Sequence, residues 1–148
     1  MDAAYYIKKY KMINHEEGGY FSLPVKSDFT IEKKALGPNY KGDRQSASVI
    51  YYLLEKGDRS AWHRLKSCEF WFYHAGGSLE MTIKKDWDDP EEKRILSSQG
   101  GNFFLEVPAN YWQTSKLIEG DFILVSCVVS PAYDDLEFEL YGGEDGII

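Results

Sequence analysis

The sequence predicts an all-β barrel or sandwich behind a short N-terminal helix. Three observations predict it. Short runs rich in Val, Ile, Tyr, Phe and Leu recur at regular spacing and are broken by Gly, Pro and Asp turns. Residues 79–84 alternate Leu79, Met81 and Ile83 against Glu80, Thr82 and Lys84, the period-two pattern of a half-buried strand. Finally, no alternation of strand and helix appears, which disfavours a parallel α/β sheet.

Residues 3–12 read as the helix, with Asp2 as N-cap and Tyr6, Ile7 and Tyr10 on one face. Asn14 to Gly19 reads as a turn whose glycines permit positive φ, and Tyr20 and Phe21 open extended structure. Residues 27–42 are polar and carry Gly37-Pro38-Asn39, so a surface loop is expected. Strands are then expected at 46–55, 60–65, 69–75, 79–84, 94–96, 102–107, 111–117, 122–130 and 136–140, with an acidic turn around Pro90. The whole chain, 1–148, reads as one domain: a helix, turn and loop region over 1–45, a barrel over 46–140, and a loose tail from Gly142.

Composition narrows the function class. The chain is 43% hydrophobic and 16% aromatic, which argues against disorder. Its net charge is -7 with no basic run, so nucleic acid and anionic membrane are unfavoured partners. No apolar stretch approaches a membrane span or a signal core. Cys68 and Cys127 form no CxxC and no disulfide framework, so a reducing cytoplasm is the default expectation.

Chemistry concentrates between Gly57 and Gly76. On a strand, His63 and Leu65 share a face, and a turn through Lys66 and Ser67 returns Glu69 to it. Farther on, Pro108 leads a turn into Tyr111-Trp112-Gln113, so Gln113 can enter the same interior from the other side. Imidazole nitrogen, carboxylate oxygen and amide oxygen are all ligands of divalent metals, which makes His63, Glu69 and Gln113 a candidate metal set. The plainer alternative is a hydrogen-bonded pair buried in a barrel.

The spacing Gly57, His63, Leu65, Glu69, Gly76 resembles the first cupin motif, Gly-x5-His-x-His-x3-4-Glu-x6-Gly, and Pro108 to Gln113 resembles the second. More closely, the chain resembles the cupin-5 branch, the domain of unknown function 985 family. The matching pieces are His15 to Tyr20, Ile50 to Leu54, Ser60 to Arg64, Glu69-Phe70-Trp71, Val107 to Gln113, Gly120-Asp121, Leu124 to Pro131 and Phe138-Glu139-Leu140. The resemblance implies a double-stranded β-helix, or jelly-roll barrel, and a homodimer. It also implies a metal centre of three His and one Glu, from which this chain departs. Leu65 stands at the second His and Gln113 at the third, so any divalent metal is held weakly or not at all.

The expected function is therefore binding of a small polar molecule, a carbohydrate or nucleotide-sugar, in the barrel. An isomerase- or epimerase-like reaction would use His63 and Glu69 as proton-transfer groups. A metal-dependent oxygenase using His63, Glu69 and Gln113 and a non-catalytic binding barrel are the alternatives. Tyr52, Arg64, Trp71, Tyr73, Gln113 and Tyr133 are candidate substrate contacts, with Trp62 and Trp112 as further aromatic wall residues against an ordinary core role. Arg44 and Arg64 can pair with an anion or stay solvated on the surface. His15 is expected to serve its turn, His74 to lie on the outer side, Cys68 to be inert and Cys127 to be core.

Overall fold

The computed structural model describes residues 1–142; the remainder of the expected tail lies outside them. The helix α1 (Ala3–Lys9) forms as the sequence predicts, though one turn shorter, and Tyr5 donates its N–H to the Asp2 carboxylate at 2.9 Å. Then come β1 (Ile13–Asn14), β2 (Tyr20–Phe21), β3 (Val25–Lys26), β4 (Thr30–Ile31), the one-turn helix α2 (Lys33–Leu36) and β5 (Arg44–Gln45). The expected loop over 27–42 is thus partly structured. Tyr40 is buried there, its hydroxyl 2.8 Å from Ser67 Oγ, a long-range anchor that local polarity cannot reveal.

The longer strands follow: β6 (Ser48–Glu55), β7 (Arg59–Arg64), β8 (Cys68–Lys84), β9 (Glu92–Leu96), β10 (Phe104–Val107) and β11 (Trp112–Ser130). Strands expected separately at 69–75 and 79–84 are one strand, β8, and those at 111–117 and 122–130 are one strand, β11. Glycines bend these strands instead of ending them. Gly76 has φ +97°, and a Cβ on Gly77 would lie 1.7 Å from the Glu119 carbonyl oxygen, so only glycine admits this close crossing. The last expected strand is a 3-10 turn (Asp135–Glu137) followed by β12 (Glu139–Leu140), with Asp134 capping the turn.

β8 and β11 pair antiparallel along their length and belong to two layers at once. Beyond the bend they carry β9 on one side and β7 with β12 on the other. Before it they carry β10 on one side and β6 with β2 and β3 on the other. The result is a curved, open half-barrel of antiparallel strands. The fully closed jelly roll expected from the sequence is not seen, because among the described residues no pairing joins the two layers opposite the β8–β11 bend.

Alternation along the strands sorts the two faces. Tyr52, Leu54, Ile123, Val125 and Cys127 point into the concavity with Trp71, Leu79, Met81 and Ile83. Leu53 and Leu124 point the other way and are capped by α1 through Ala3, Tyr6 and Ile7. No described helix is long and apolar enough to cross a membrane.

Candidate functional site

The concave face holds a small cavity of about 60 Å3, lined by side chains from β6, β7, β8 and β11. His63 on β7 and Glu69 at the start of β8 reach it, as do Tyr52 on β6 and Tyr133 beyond β11. Phe21, Pro24, Ile50, Leu65, Val129 and Phe138 make its walls chiefly apolar. No lysine or arginine is among the described residues that line it.

One lining residue was not expected. Glu17, in the turn before β2, places Oε2 3.0 Å from His63 Nε2. The turn is pressed against the sheet by glycine. A Cβ on Gly18 would stand 2.2 Å from the Arg59 carbonyl oxygen, and φ there is +109°. The Ala61 N–H donates to the Glu17 carbonyl at 2.6 Å and the Tyr52 hydroxyl donates to the Gly18 carbonyl, which fixes Glu17 over His63. His15 does serve this turn, since the Glu17 N–H donates to its Nδ1 at 3.1 Å. Its ring also forms part of the cavity wall, edge-on to Phe21.

Hydrogen bonds set the protonation pattern. His63 Nδ1 lies 2.8 Å from the Ala61 carbonyl, which can only accept, so Nδ1 carries the proton and Nε2 offers a lone pair to Glu17. Burial lowers the His63 pKa against the opposing pull of Glu69, and burial raises Glu17 to about 8. Both shifts favour neutral forms, so near neutral pH the shared proton sits on Glu17 and points at Nε2. Burial also raises Glu69, while the adjacent His63 pulls it down. Gln113, opposite His63 in the β7–β11 register, donates its amide to Glu69 Oε1 at 2.9 Å and thereby ties the two layers together.

The other expected contacts are dispersed. Trp71 is fully buried edge-on to Tyr52, 5.4 Å between centroids, and supports the cavity from behind. Tyr73 lies outside it, donating to the Gly76 carbonyl at 2.8 Å. Arg64 is drawn away by Glu139 and by the Trp112 ring, 4.6 Å off. Trp62 and Trp112 cluster with Trp87 and Tyr141, away from the cavity. Arg44 is neither solvated nor free for an anion, because it is buried against Glu137. His74 faces outward to Ser126 Oγ at 2.8 Å, and Cys68 offers its Sγ to the Ser130 carbonyl. Cys127 is core and also touches the cavity, its thiol pushed well up by burial.

The donor set does not fit a firmly held metal. Leu65 supplies a hydrocarbon beside His63, Gln113 turns its amide nitrogen to Glu69, and Nε2 is engaged by Glu17. Among the described residues no three His, Cys, Asp or Glu side chains converge in a metal-holding group.

Comparison with known proteins agrees with this architecture. The Cupin_5 model, described as Cupin superfamily (DUF985), matches residues 4–141. The chain belongs to the Cupin_5 family. A hypothetical protein from Leishmania major has a similar structure, with TM-score 0.82, 28% identity, and coverage of 95% of this chain and 88% of that one. A protein from Shewanella oneidensis is similar at TM-score 0.78 and 30% identity, covering 98% of this chain and 87% of the other. Oxalate decarboxylase from Bacillus subtilis shares only the fold, at TM-score 0.58 and 14% identity, and this chain covers 29% of it. No curated protein matches the chain in sequence. Members of the superfamily differ widely in chemistry, so membership fixes the scaffold and leaves the reaction to the site.

Proposed function

We propose that this cupin binds a small molecule in its concave cavity and exchanges a proton with it, in an isomerase- or epimerase-like reaction. The observation that carries the reading is the contact of 3.0 Å between His63 Nε2 and Glu17 Oε2 beside Glu69, all three buried on one cavity. Each group is held in the form a proton relay needs: Glu17 has a proton to give, and His63 has a lone pair to receive one. The apolar walls exclude water and strengthen every polar contact a ligand makes. Tyr52 and Tyr133 supply the flat sides of the binding space. A diphosphate finds no cation there, so a nucleotide-sugar is less suited than an uncharged or amino compound.

Deuterium wash-in tests this. Neutral sugars, amino sugars and nucleotide-sugars are incubated with the protein in D2O and their carbon-bound protons followed by NMR. At least one compound is expected to exchange, and His63→Ala and Glu69→Gln to slow that exchange a hundredfold or more, as loss of a general acid–base group does at ~10²–10⁴-fold. A compound that raises the melting temperature without exchanging would make the barrel a binding protein only. Wash-in untouched by both substitutions would remove them from the chemistry.

We further propose that two copies pair at β10, an edge strand whose Phe104 is exposed and stacked on Phe72 at 5.9 Å. Light scattering checks this: a monomer mass at all concentrations rejects it.

A further inference from the structure

Two features of the cavity go beyond proton transfer. The first is a pair of half-used carboxyls. Glu17 engages His63 through Oε2, and Glu69 accepts from Gln113 through Oε1. The second oxygen of each, Oε1 of Glu17 and Oε2 of Glu69, faces no donor in hydrogen-bonding geometry among the described residues, with the Tyr52 hydroxyl standing near Glu17 and the Trp71 indole near Glu69. Both side chains are more than nine-tenths buried, and both line the same cavity. Neither oxygen is among the fully buried polar atoms that lack a partner, so both open onto the cavity, where a ligand that brings donors reaches them.

The second feature is a set of rings that line the same cavity. His15 lies edge-on to Phe21 at 4.7 Å between centroids, Phe138 lies 5.6 Å from His63, and Tyr133 lies 6.2 Å from Phe138. Ring faces carry negative potential and attract cations. Neither Arg44, which holds Glu137, nor Arg64, which holds Glu139, lines the cavity. An anion entering the cavity would meet acceptors and ring faces with no counter-charge. An ammonium would meet two carboxyl oxygens and aromatic walls.

We propose that the cavity selects its ligand by charge, receiving a small organic cation in which a protonated amine is carried on a flat apolar body, and turning anions away. This rests on the reading of the cavity as a ligand site. The ammonium lies between Glu17 and Glu69 and donates to their free oxygens, and its charge favours the ionised form of the carboxyls beside it, while the apolar body packs among Phe21, Ile50, Leu65 and Phe138.

Calorimetric titration of the full chain with benzylamine, benzyl alcohol and benzoate tests it, since the three share one ring and differ in charge. Benzylamine is expected to bind at least tenfold more tightly than benzyl alcohol, and benzoate at least tenfold more weakly than the alcohol. In Glu69→Gln and Glu17→Gln the amine's advantage falls toward unity while the alcohol still binds, which also shows that the variants keep the cavity. Alcohol or benzoate binding as tightly as the amine overturns the proposal, and so does a preference that survives both substitutions. Binding of none of the three overturns it as well. The deuterium experiment reads proton transfer independently, so wash-in on an uncharged compound with no amine preference removes the charge selection and leaves the catalytic reading standing.

Discussion

Glu137 and Glu17 are equally hidden from water, yet they are partnered in opposite ways. Glu137 meets a permanent cation: Arg44 donates Nε to Oε2 at 3.2 Å and Nη2 to both oxygens, and the Lys41 N–H adds a bond at 2.9 Å. Glu17 meets a neutral imidazole and keeps one oxygen free. The first arrangement satisfies its charges completely and fastens the 3-10 turn to β5. The second leaves a group whose protonation can change without dismantling the fold. Full compensation marks a clamp, and partial compensation marks a place where a ligand or a proton completes the set.

The largest effect expected from breaking this contrast is at the clamp. Glu137→Ala strands a covered guanidinium, and loss of one partner of a buried pair costs about 3–5 kcal/mol. The Asp134 carboxylate remains 3.9 Å from the Arg44 guanidinium and offsets part of that cost, so a loss of about 2–3 kcal/mol in urea unfolding is expected. A loss below 1 kcal/mol would mean that the pair is a surface contact, and the contrast would fail.

The cavity side of the contrast shows in pH dependence. Glu17 has its folded pKa raised to about 8 from an ordinary 4.5, so between those values the folded state holds a proton that the unfolded state has lost, and stability falls as pH rises. His15 runs the other way. Burial, helped by the nearby His63, lowers it to about 4 from 6.5, and it adds stability as pH rises across that window. The two oppose each other up to about pH 6.5, where the histidine contributions end, and the Glu17 loss continues to about pH 8, with Glu69, which burial also raises, acting in the same direction. At ~1.4 kcal/mol per pH unit, wild type should lose about 2 kcal/mol over that interval. Denaturant titrations at pH 6.5 and 8 measure it. Glu17→Gln should remove the larger part of the fall, and a wild-type curve that is flat or rising there would show that Glu17 is ionised against His63.

Much of this molecule can be read from its residues. The helix cap at Asp2, the inward alternation of Leu79, Met81 and Ile83, and the meeting of Glu69 with Gln113 all follow from local pattern. Glu17 did not, because His15 to Tyr20 has a sufficient local explanation as a turn. The signal lay in two successive glycines, which mark a backbone pressed against something and so bring their neighbours to it. Gly76-Gly77 misled in the other direction. A glycine pair is equally consistent with a strand end and with a bend, and only the crossing partner at Glu119 decides. Arg44 and Arg64 could not be told apart in advance, since their acids lie more than seventy residues away in sequence, at Glu137 and Glu139.

Leu65 allows the cavity to be shifted toward the other extreme. Its side chain lines the same space as His63 and Glu69, so Leu65→His adds a nitrogen where the chain has a hydrocarbon. The variant should bind nickel at least tenfold more tightly than wild type, a gain of ~1.4 kcal/mol. Titration by calorimetry reads the ratio, and equal affinity would show that Glu17 keeps Nε2 of His63 from any metal.

The smallest effect separates burial from charge. Arg64–Glu139 has the same residue types as Arg44–Glu137 and joins the same C-terminal segment to the sheet, but both of its side chains are about a quarter exposed. Water already solvates that pair in part, Lys66 stands by at 3.5 Å, and Arg64 keeps its packing over Trp112 if the acid is neutralised. Glu139→Gln should therefore cost less than 1 kcal/mol, the range of exposed pairs, and the cost should shrink further in 0.5 M salt. If it matches the loss from Glu137→Ala, attachment of the C-terminal segment as a whole sets the energy. If it is small, as solvation predicts, the strength of the Arg44 clamp comes from its burial, and the same burial makes Glu17 responsive to whatever enters the cavity.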